Sequence, residues 1–504
     1  MDDKQFLTAC QQLANFVIDY RNQLASRKFP VLPDLQVIKP GYLRPLLPDR
    51  APEESENFSL VLDDVYKKIL IGVTHWQHPS FHAYFPTASS YPAMLGDLLS
   101  GAIGAVGFSW ISCPACTELE TITLDWLAKA MELPSKFLFY PEGEHQDRTG
   151  GGVIECSASL ACSTIVMTVR DKALRQMKTI DAYTDEDRLK GQGPGALLDR
   201  FVVYTSDQAH SSVFRAFYVA MLQCHQIHST HRDKRMIFDA KELENAIEHD
   251  KSKGFVPLLC VATIGSTNTC EFDDLEAIGK VCKKHKMWLH VDAAYGGCAR
   301  LCPEYRHLFK GVEYANSISF NPHKMLMTNF DCSVLWLDDC RVLIEAFNVS
   351  PTYLGHKFQG MPDYGKWSLN LGRRFRSLKL WFVLRTFGLS GLRDVIHKHV
   401  QLAKEFEQLL ITDRRFEVVN DVRFGLVCFQ LKGSNDLTKI LGDELLHDGR
   451  IYLVPGSVVK DGKDVYFLRF VTSHRSNSAD VEYAFRVISE VTSRILEETA
   501  VNSN

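Results

Sequence analysis

Short apolar runs of strand length, set apart by stretches of helical spacing, constrain this chain more than any other feature. Phe201-Val202-Val203-Tyr204, Leu258-Leu259-Cys260-Val261-Ala262 and Met287-Trp288-Leu289-His290-Val291 are each brief and almost continuously apolar. A strand without polar alternation is buried on both faces. A parallel sheet covered by crossover helices provides that burial. Helices are predicted ahead of these runs, from Pro92 to Ile103 and from Thr117 to Met131. The second of these should turn Leu119, Ile122, Trp126 and Leu127 inward. An α/β domain with a mostly parallel sheet is therefore expected over residues 91–380.

The two ends read differently. Phe6, Cys10, Leu13, Phe16, Val17 and Tyr20 recur at helical spacing, and a second amphipathic helix is expected from Phe58 to Leu70. Pro30, Pro33, Pro40 and Pro45 make the stretch between them an extended arm. Two helices and an arm over residues 1–90 cannot bury their own apolar faces and need a partner surface. After a helix from Leu378 to Phe387, residues 381–504 suggest a small α+β domain. Its expected elements are helices Val395 to Leu410 and Ala479 to Glu498, with strands Leu426 to Leu431 and Tyr466 to Phe470.

Composition excludes several classes of protein. A net charge of −4 gives no reason to expect nucleic acid or an anionic membrane as partner. No apolar run is long enough to span a bilayer, and the acidic start has no signal-peptide core, so a cytoplasmic protein is expected. The 14 cysteines are scattered, which points to reduced thiols. Cys113-Pro114-Ala115-Cys116 has redox spacing but lacks a second pair to complete a metal site, so it reads as a packed pair at a helix start. No metal site is expected.

Chemistry concentrates in two segments. Met287 to Val291 runs into Asp292, and a carboxylate at the end of a buried strand needs a cationic partner or a hydrogen-bonded ligand. Further on, Ser319-Phe320-Asn321-Pro322-His323-Lys324 lies between two apolar runs, with Pro322 disfavouring helix, so Lys324 is expected at a turn between strands. A carboxylate paired with a pyridinium nitrogen and a lysine forming a Schiff base are the two protein signatures of pyridoxal phosphate. Asp292 and Lys324 fit those roles. Gly150-Gly151-Gly152 to Ser157-Ala158-Ser159 precedes a helix from about Leu160, and small residues there present free N–H groups to an anion. Ser157 and Ser159 also suit plain N-caps. The polar insert Glu142 to Arg148 reads as a surface loop, and Ala346 to Trp367 as a long loop of the kind that closes over a site.

The stretches Pro40 to Pro45, His82 to Pro92, Ser206 to Ser212, His290 to Tyr295, Asn321 to Lys324 and Leu371 to Ser377 together resemble the group II pyridoxal-phosphate amino acid decarboxylases. The resemblance covers nearly the whole chain. It implies fold type I, the aspartate aminotransferase-like fold, and a homodimer with the N-terminal segment packed across the interface. It also implies decarboxylation of aromatic L-amino acids such as L-Dopa and 5-hydroxytryptophan. Alternatives within the family are an aldehyde synthase and a tyrosine- or histidine-preferring decarboxylase.

By the same resemblance, Lys324, Asp292, His210 and Tyr353 are catalytic. His210 would stack on the cofactor, and Tyr353 would protonate the substrate. Ser157, Ala158, Ser159, His210, Thr263, Asp292, Ala294, Asn321, His323 and Lys324 are the implied cofactor contacts. Trp76, Tyr84, Phe85, Thr87, Phe108, His210 and Gly372 are the implied substrate contacts, with Gly372 leaving room where histidine decarboxylases tend to carry Ser. Leu160 and Met325 depart from the family pattern, which usually has Glu and Trp there.

Overall fold

The computed structural model describes residues 1–140, 149–180, 194–232, 234–348, 355–358, 360–460 and 462–502. The chain forms two compact units, Thr87–Lys398 and Met1–Pro86 together with His399–Asn504. This grouping differs from the expected division into 1–90, 91–380 and 381–504.

The unit Thr87–Lys398 is built on a seven-stranded sheet. Its strands are β1 (Gly151–Glu155), β2 (Phe201–Ser206), β3 (Gln223–Ile227), β6 (Val256–Thr263), β7 (Trp288–Asp292), β8 (Ser317–Phe320) and β9 (Ser333–Leu337). A separate hairpin pairs β4 (Thr230–Arg232) with β5 (Arg235–Ile237). The sheet order is β1-β9-β8-β7-β6-β2-β3. Neighbours from β8 through β3 are parallel, while β9 runs antiparallel to both β8 and β1. The near-continuous apolar runs thus become strands buried on both faces. Val153, Val203, Leu259, Val261 and Leu335 from the sheet share a core with Ile165, Val166 and Val169 of helix Ala158–Ile180.

Three local readings change. Gly151 and Gly152 belong to β1, with Gly150 just before it, rather than to a helix-end cradle. Gly152 pairs with Trp336, and a Cβ there would stand 2.7 Å from the indole and 3.0 Å from Leu124. Close packing therefore requires that glycine. Lys324 lies on a one-turn helix, Pro322–Met325, instead of a turn. Proline disfavours a helix interior but suits the first helical position, where its missing N–H has no intrahelical partner. In helix Pro114–Ala130, Ile122 and Trp126 are exposed while Glu120, Thr121 and Asp125 are buried with Leu124 and Leu127. The buried carboxylates face polar partners: Asp125 accepts the Phe139 and Tyr140 N–H groups, and Glu120 accepts the Ile154 N–H at 2.7 Å.

The second unit joins the chain's ends. Strands β10 (Phe416–Val418), β11 (Leu426–Leu431), β12 (Val454–Lys460) and β13 (Lys463–Val471) form an antiparallel sheet in the order β10-β11-β13-β12. Helices Asn435–Asp448 and Ser478–Asn502 pack on it through Leu441, Leu445, Val487 and Ile488. The proline-rich arm explains the grouping with the N-terminus. Val31, Leu32, Phe81 and Ala83 pack with Tyr452 and Val454. The His82 N–H donates to the Tyr452 carbonyl at 2.9 Å, and the Val471 N–H donates to the His82 carbonyl. Helix Asp3–Ala25 buries only Ala9 and Leu24, leaving Phe6, Leu7, Leu13 and Ile18 exposed.

Candidate active site

Asp292 ends β7, and its position follows from the sheet. Its neighbours in register are Thr263 at the end of β6 and Ser319 in β8. The carboxylate is buried and accepts the Ala294 N–H at 3.0 Å. His290, two residues earlier, lies on the same strand face. It is fully buried; Nδ1 lies 2.8 Å from the Ser317 hydroxyl, and Nε2 lies 3.4 Å from that of Ser319. Burial lowers its pKa to about 4, so this ring beside Asp292 is neutral at physiological pH. The sequence reading passed over His290, although an i, i+2 spacing to Asp292 in a strand is a usable signal.

Thr263 is held from both sides by Asp273. The Thr263 N–H donates to the Asp273 carboxylate at 2.6 Å, and the Asp273 N–H donates to the Thr263 carbonyl. Burial raises the Asp273 pKa to about 7. The Thr263 hydroxyl is buried and has no hydrogen-bond partner among the described residues. Nothing in the local sequence signals Asp273, because its partner lies across a turn.

The neighbouring loop ends bring in the remaining groups. Asn321 precedes the Lys324 helix; its side-chain oxygen accepts the Ser333 hydroxyl at 2.7 Å, and its N–H donates to the Ala294 carbonyl. The Cys332 N–H donates to Nδ1 of buried His323 at 3.1 Å. Desolvation, with the Lys324 charge, lowers the His323 pKa to about 4. A neutral ring accepting at Nδ1 carries its proton at Nε2 and is a donor there. Met325, where the family pattern has Trp, is buried with its sulfur 3.0 Å from the Cys298 thiol, so the departure is absorbed by a sulfur contact.

His210 caps helix Ser211–Val219 and accepts the Ser212 N–H at Nδ1. Burial lowers its pKa; Asp292 opposes that shift and Lys324 adds to it. The three groups are therefore electrostatically linked. Helix Ala158–Ile180 begins nearby, since Cys162 in its second turn feels the Asp292 charge. The Ser157 hydroxyl accepts the Leu160 N–H at 3.2 Å, so Ser157 is the N-cap, and Ala158 and Ser159 open the helix.

The implied substrate contacts divide between the units. Within Met1–Pro86 and His399–Asn504, Trp76 stacks on Tyr84 with ring centroids 5.3 Å apart, and the Tyr84 hydroxyl lies 3.0 Å from that of Tyr452. Tyr84 has φ +57°, a left-handed backbone that is costly for an aromatic residue and typical of functional positions. Both rings remain substantially exposed, whereas Phe85 is buried under the Arg469 guanidinium. In the other unit, the Phe108 carbonyl accepts the Gly365 N–H, and a Cβ on exposed Gly372 would meet no atom within 4 Å. Thr87 begins that unit. Tyr353 and the insert Glu142 to Arg148 lie outside the described residues. Cys113 and Cys116 are free thiols at the start of helix Pro114–Ala130. No described helix is long and apolar enough to cross a membrane.

Known proteins match this chain along almost their entire length. The chain is 44% identical to the aromatic-L-amino-acid decarboxylase of Drosophila melanogaster, over 99% of this chain and 93% of the relative. It is 45% identical to that of Mus musculus, over 98% and 99%. Among solved structures, the Oryza sativa TDC with PLP and tryptamine superposes with a TM-score of 0.88 at 33% identity, over 98% of this chain and 99% of that one. The Rhodiola rosea 4-hydroxyphenylacetaldehyde synthase gives 0.86 at 34%, with the same coverage. Residues 40–432 match the pyridoxal-dependent decarboxylase conserved domain, and the chain belongs to that family.

Proposed function

We propose that this chain decarboxylates aromatic L-amino acids, with L-Dopa and 5-hydroxytryptophan as substrates and dopamine and serotonin as products. One observation carries the reading. Buried Asp292, half-buried Lys324 and exposed His210 are electrostatically linked beside the strand ends of a parallel sheet, the edge where α/β folds bind ligands. The named function of the insect and mammalian relatives supports the substrate class.

The residues fit pyridoxal phosphate. The Thr263 hydroxyl is buried without a partner among the described residues, and buried Asp292 suits a cationic ring N–H. Lys324 would hold the carbonyl carbon. Ala158 and Ser159 at a helix start, with Asn321 and His323, would hold the phosphate. Bound there, the cofactor supplies an electron sink for the pair left when CO2 departs.

The chain's own groups do the rest. Asp292 keeps the ring nitrogen protonated. His210, its pKa lowered and its Nδ1 accepting the Ser212 N–H, carries its proton at Nε2 and would offer it as a donor there. Tyr353 is assigned the transfer of a proton to the substrate Cα. By the family resemblance, Trp76, Tyr84, Phe85 and Phe108 are the aromatic residues assigned to the substrate's ring.

The active form is a homodimer. Helix Tyr91–Ile103 buries Ala93, Gly96 and Ser100 while exposing Leu95, Leu98, Leu99 and Ile103. The exposed faces of helices Asp3–Ala25 and Phe58–Asp64 add Phe6, Leu7, Leu13, Leu60 and Val61. Apolar faces of this extent mark an interaction surface, and a second copy supplies the matching one. Leu98→Glu should yield monomers in sedimentation; dimers of unchanged affinity would refute this.

The decisive test measures CO2, amine and hydrogen peroxide from one L-Dopa reaction. Amine should match CO2, without peroxide. Peroxide rising in step with CO2 would make the protein an aldehyde synthase, and absence of CO2 from every aromatic acid would overturn the reading.

A further inference from the structure

Cys302, Glu304 and His397 present a sulfur, a carboxylate oxygen and an imidazole nitrogen that all lie within 4.8 Å of one another. Cys302 joins two 3-10 turns, Gly296–Leu301 and Pro303–Phe309, while His397 comes from the long helix Ser377–Thr412. The Cys302 side chain is fully buried and fixed, whereas Glu304 and His397 are about half exposed. His397 Nε2 already meets the Glu304 carboxylate at 2.5 Å. None of the three belongs to the residues assigned above to cofactor or substrate.

We propose that Cys302, Glu304 and His397 form a binding site for a borderline-soft divalent cation, with Zn2+ the best match. Zn2+ takes this donor set, thiolate, imidazole and carboxylate, with bonds of about 2.0–2.3 Å. Tetrahedral donors then stand about 3.3–3.8 Å apart, so the His397 nitrogen and Glu304 oxygen, now 2.5 Å apart, must separate, while a spacing at the 4.8 Å limit would close by about 1 Å. The two half-exposed side chains can make these movements around the fixed sulfur. Water completes the fourth position.

The charge around the sulfur permits it. The groups acting on Cys302 are Glu304 and Asp394 on one side and Arg393 and Arg306 on the other. Both guanidinium groups are turned to other acceptors. Arg393 Nε donates to the Leu301 carbonyl at 2.8 Å, and Arg306 donates to the Glu132 carboxylate and the Ala130 carbonyl. Burial holds the thiol proton, pushing the pKa to about 12, so the cation must displace it. On binding, the S–H bond breaks, an S–Zn bond forms and one proton leaves to solvent, with no change of oxidation state. His397 gives its Nε2 lone pair in place of its contact with Glu304.

The test uses chelator-treated holoenzyme titrated with Zn2+ by calorimetry. Wild type should take one ion per chain. Cys302→Ser and His397→Ala should each bind at least about tenfold more weakly, with unchanged turnover and melting temperature in the absence of metal. With Co2+ as probe, the thiolate-to-metal absorption should vanish in Cys302→Ser and persist in Cys113→Ser, which controls for the Cys113–Cys116 pair. Absence of stoichiometric binding to wild type, binding that survives both substitutions, or a signal lost in Cys113→Ser would overturn the proposal.

Discussion

Two clusters of buried charge in the unit Thr87–Lys398 look alike in composition and differ in how they are satisfied. In one, Arg373 donates to the Glu120 carboxylate at 2.5 Å and to the Ile154 carbonyl. Glu155, on the same strand, accepts from Ser368 and Thr164. Every carboxylate there has protein donors. In the other, Asp292 has the Ala294 N–H, the neighbouring Thr263 hydroxyl has no partner among the described residues, and two nearby histidines are kept neutral by burial. The first cluster satisfies its carboxylates from within, although the buried Arg373 Nε has no hydrogen-bond partner among the described residues, and it joins β1 to helix Pro114–Ala130 and the segment after Tyr364. The second is left open where a ligand would complete it. Burial alone therefore does not distinguish the two clusters; the difference lies in whether the carboxylates are met by side-chain donors, as Glu120 and Glu155 are by Arg373, Ser368 and Thr164.

Substitutions should separate the clusters. The largest effect belongs to Lys324→Ala, which should abolish turnover and the visible absorption of bound cofactor while leaving the melting temperature of the cofactor-free protein unchanged. Residual turnover near the wild-type rate would remove Lys324 from its role. Asp292→Asn should come next, lowering kcat by about a hundredfold or more, the scale of losing one preorganised electrostatic group. The cofactor-free protein should lose little stability, since the open cluster carries no full set of partners. A variant that unfolds instead would place Asp292 in the structural class.

The closed cluster should respond in the opposite sense. Glu120→Ala strands the Arg373 guanidinium without its partner and should cost about 3–5 kcal/mol of stability, read from denaturant unfolding. Cofactor affinity measured well below the unfolding midpoint should be nearly unchanged. A stable variant with weakened cofactor binding would erase the distinction between the clusters.

The smallest effect is a pH dependence of stability. His290 and His323 have folded pKa values of about 4 because burial disfavours their charged forms, against about 6.5 in an unfolded chain. Between those values the unfolded state binds more protons. The contribution to stability is thus complete above about pH 6.5 and is lost as pH falls toward 4. Melting of the cofactor-free protein should drop between pH 7 and pH 5, and His323→Asn should flatten that slope. An unchanged slope in the variant would show that His323 is not held neutral.

Much of this was legible in the chain itself. The apolar runs at 201–204, 258–262 and 287–291 became β2, β6 and β7, because a strand with no polar side needs cover on both faces. Asp292 and Lys324 stood out as candidates because a charge beside a buried strand demands an explanation. One misreading has a distinct physical cause. Ile122 and Trp126 were assigned inward by periodicity, yet Glu120 and Asp125 took the buried face because Arg373, Ile154, Phe139 and Tyr140 offered partners.

Local residue order by itself determined the α/β pattern, the strand identities and the chemical types at the site. Tertiary structure decided which polar groups could be buried, because hydrogen-bond partners come from segments distant in sequence. Asp273 clamping Thr263, Ser317 and Ser319 flanking His290, and Tyr452 beside Tyr84 are contacts of that kind. It also decided that glycine stands at position 152, since only the register of β1 on β9 brings Trp336 against it. Periodicity records the cost of exposing apolar surface; it carries no information about which distant donor will meet a buried acceptor.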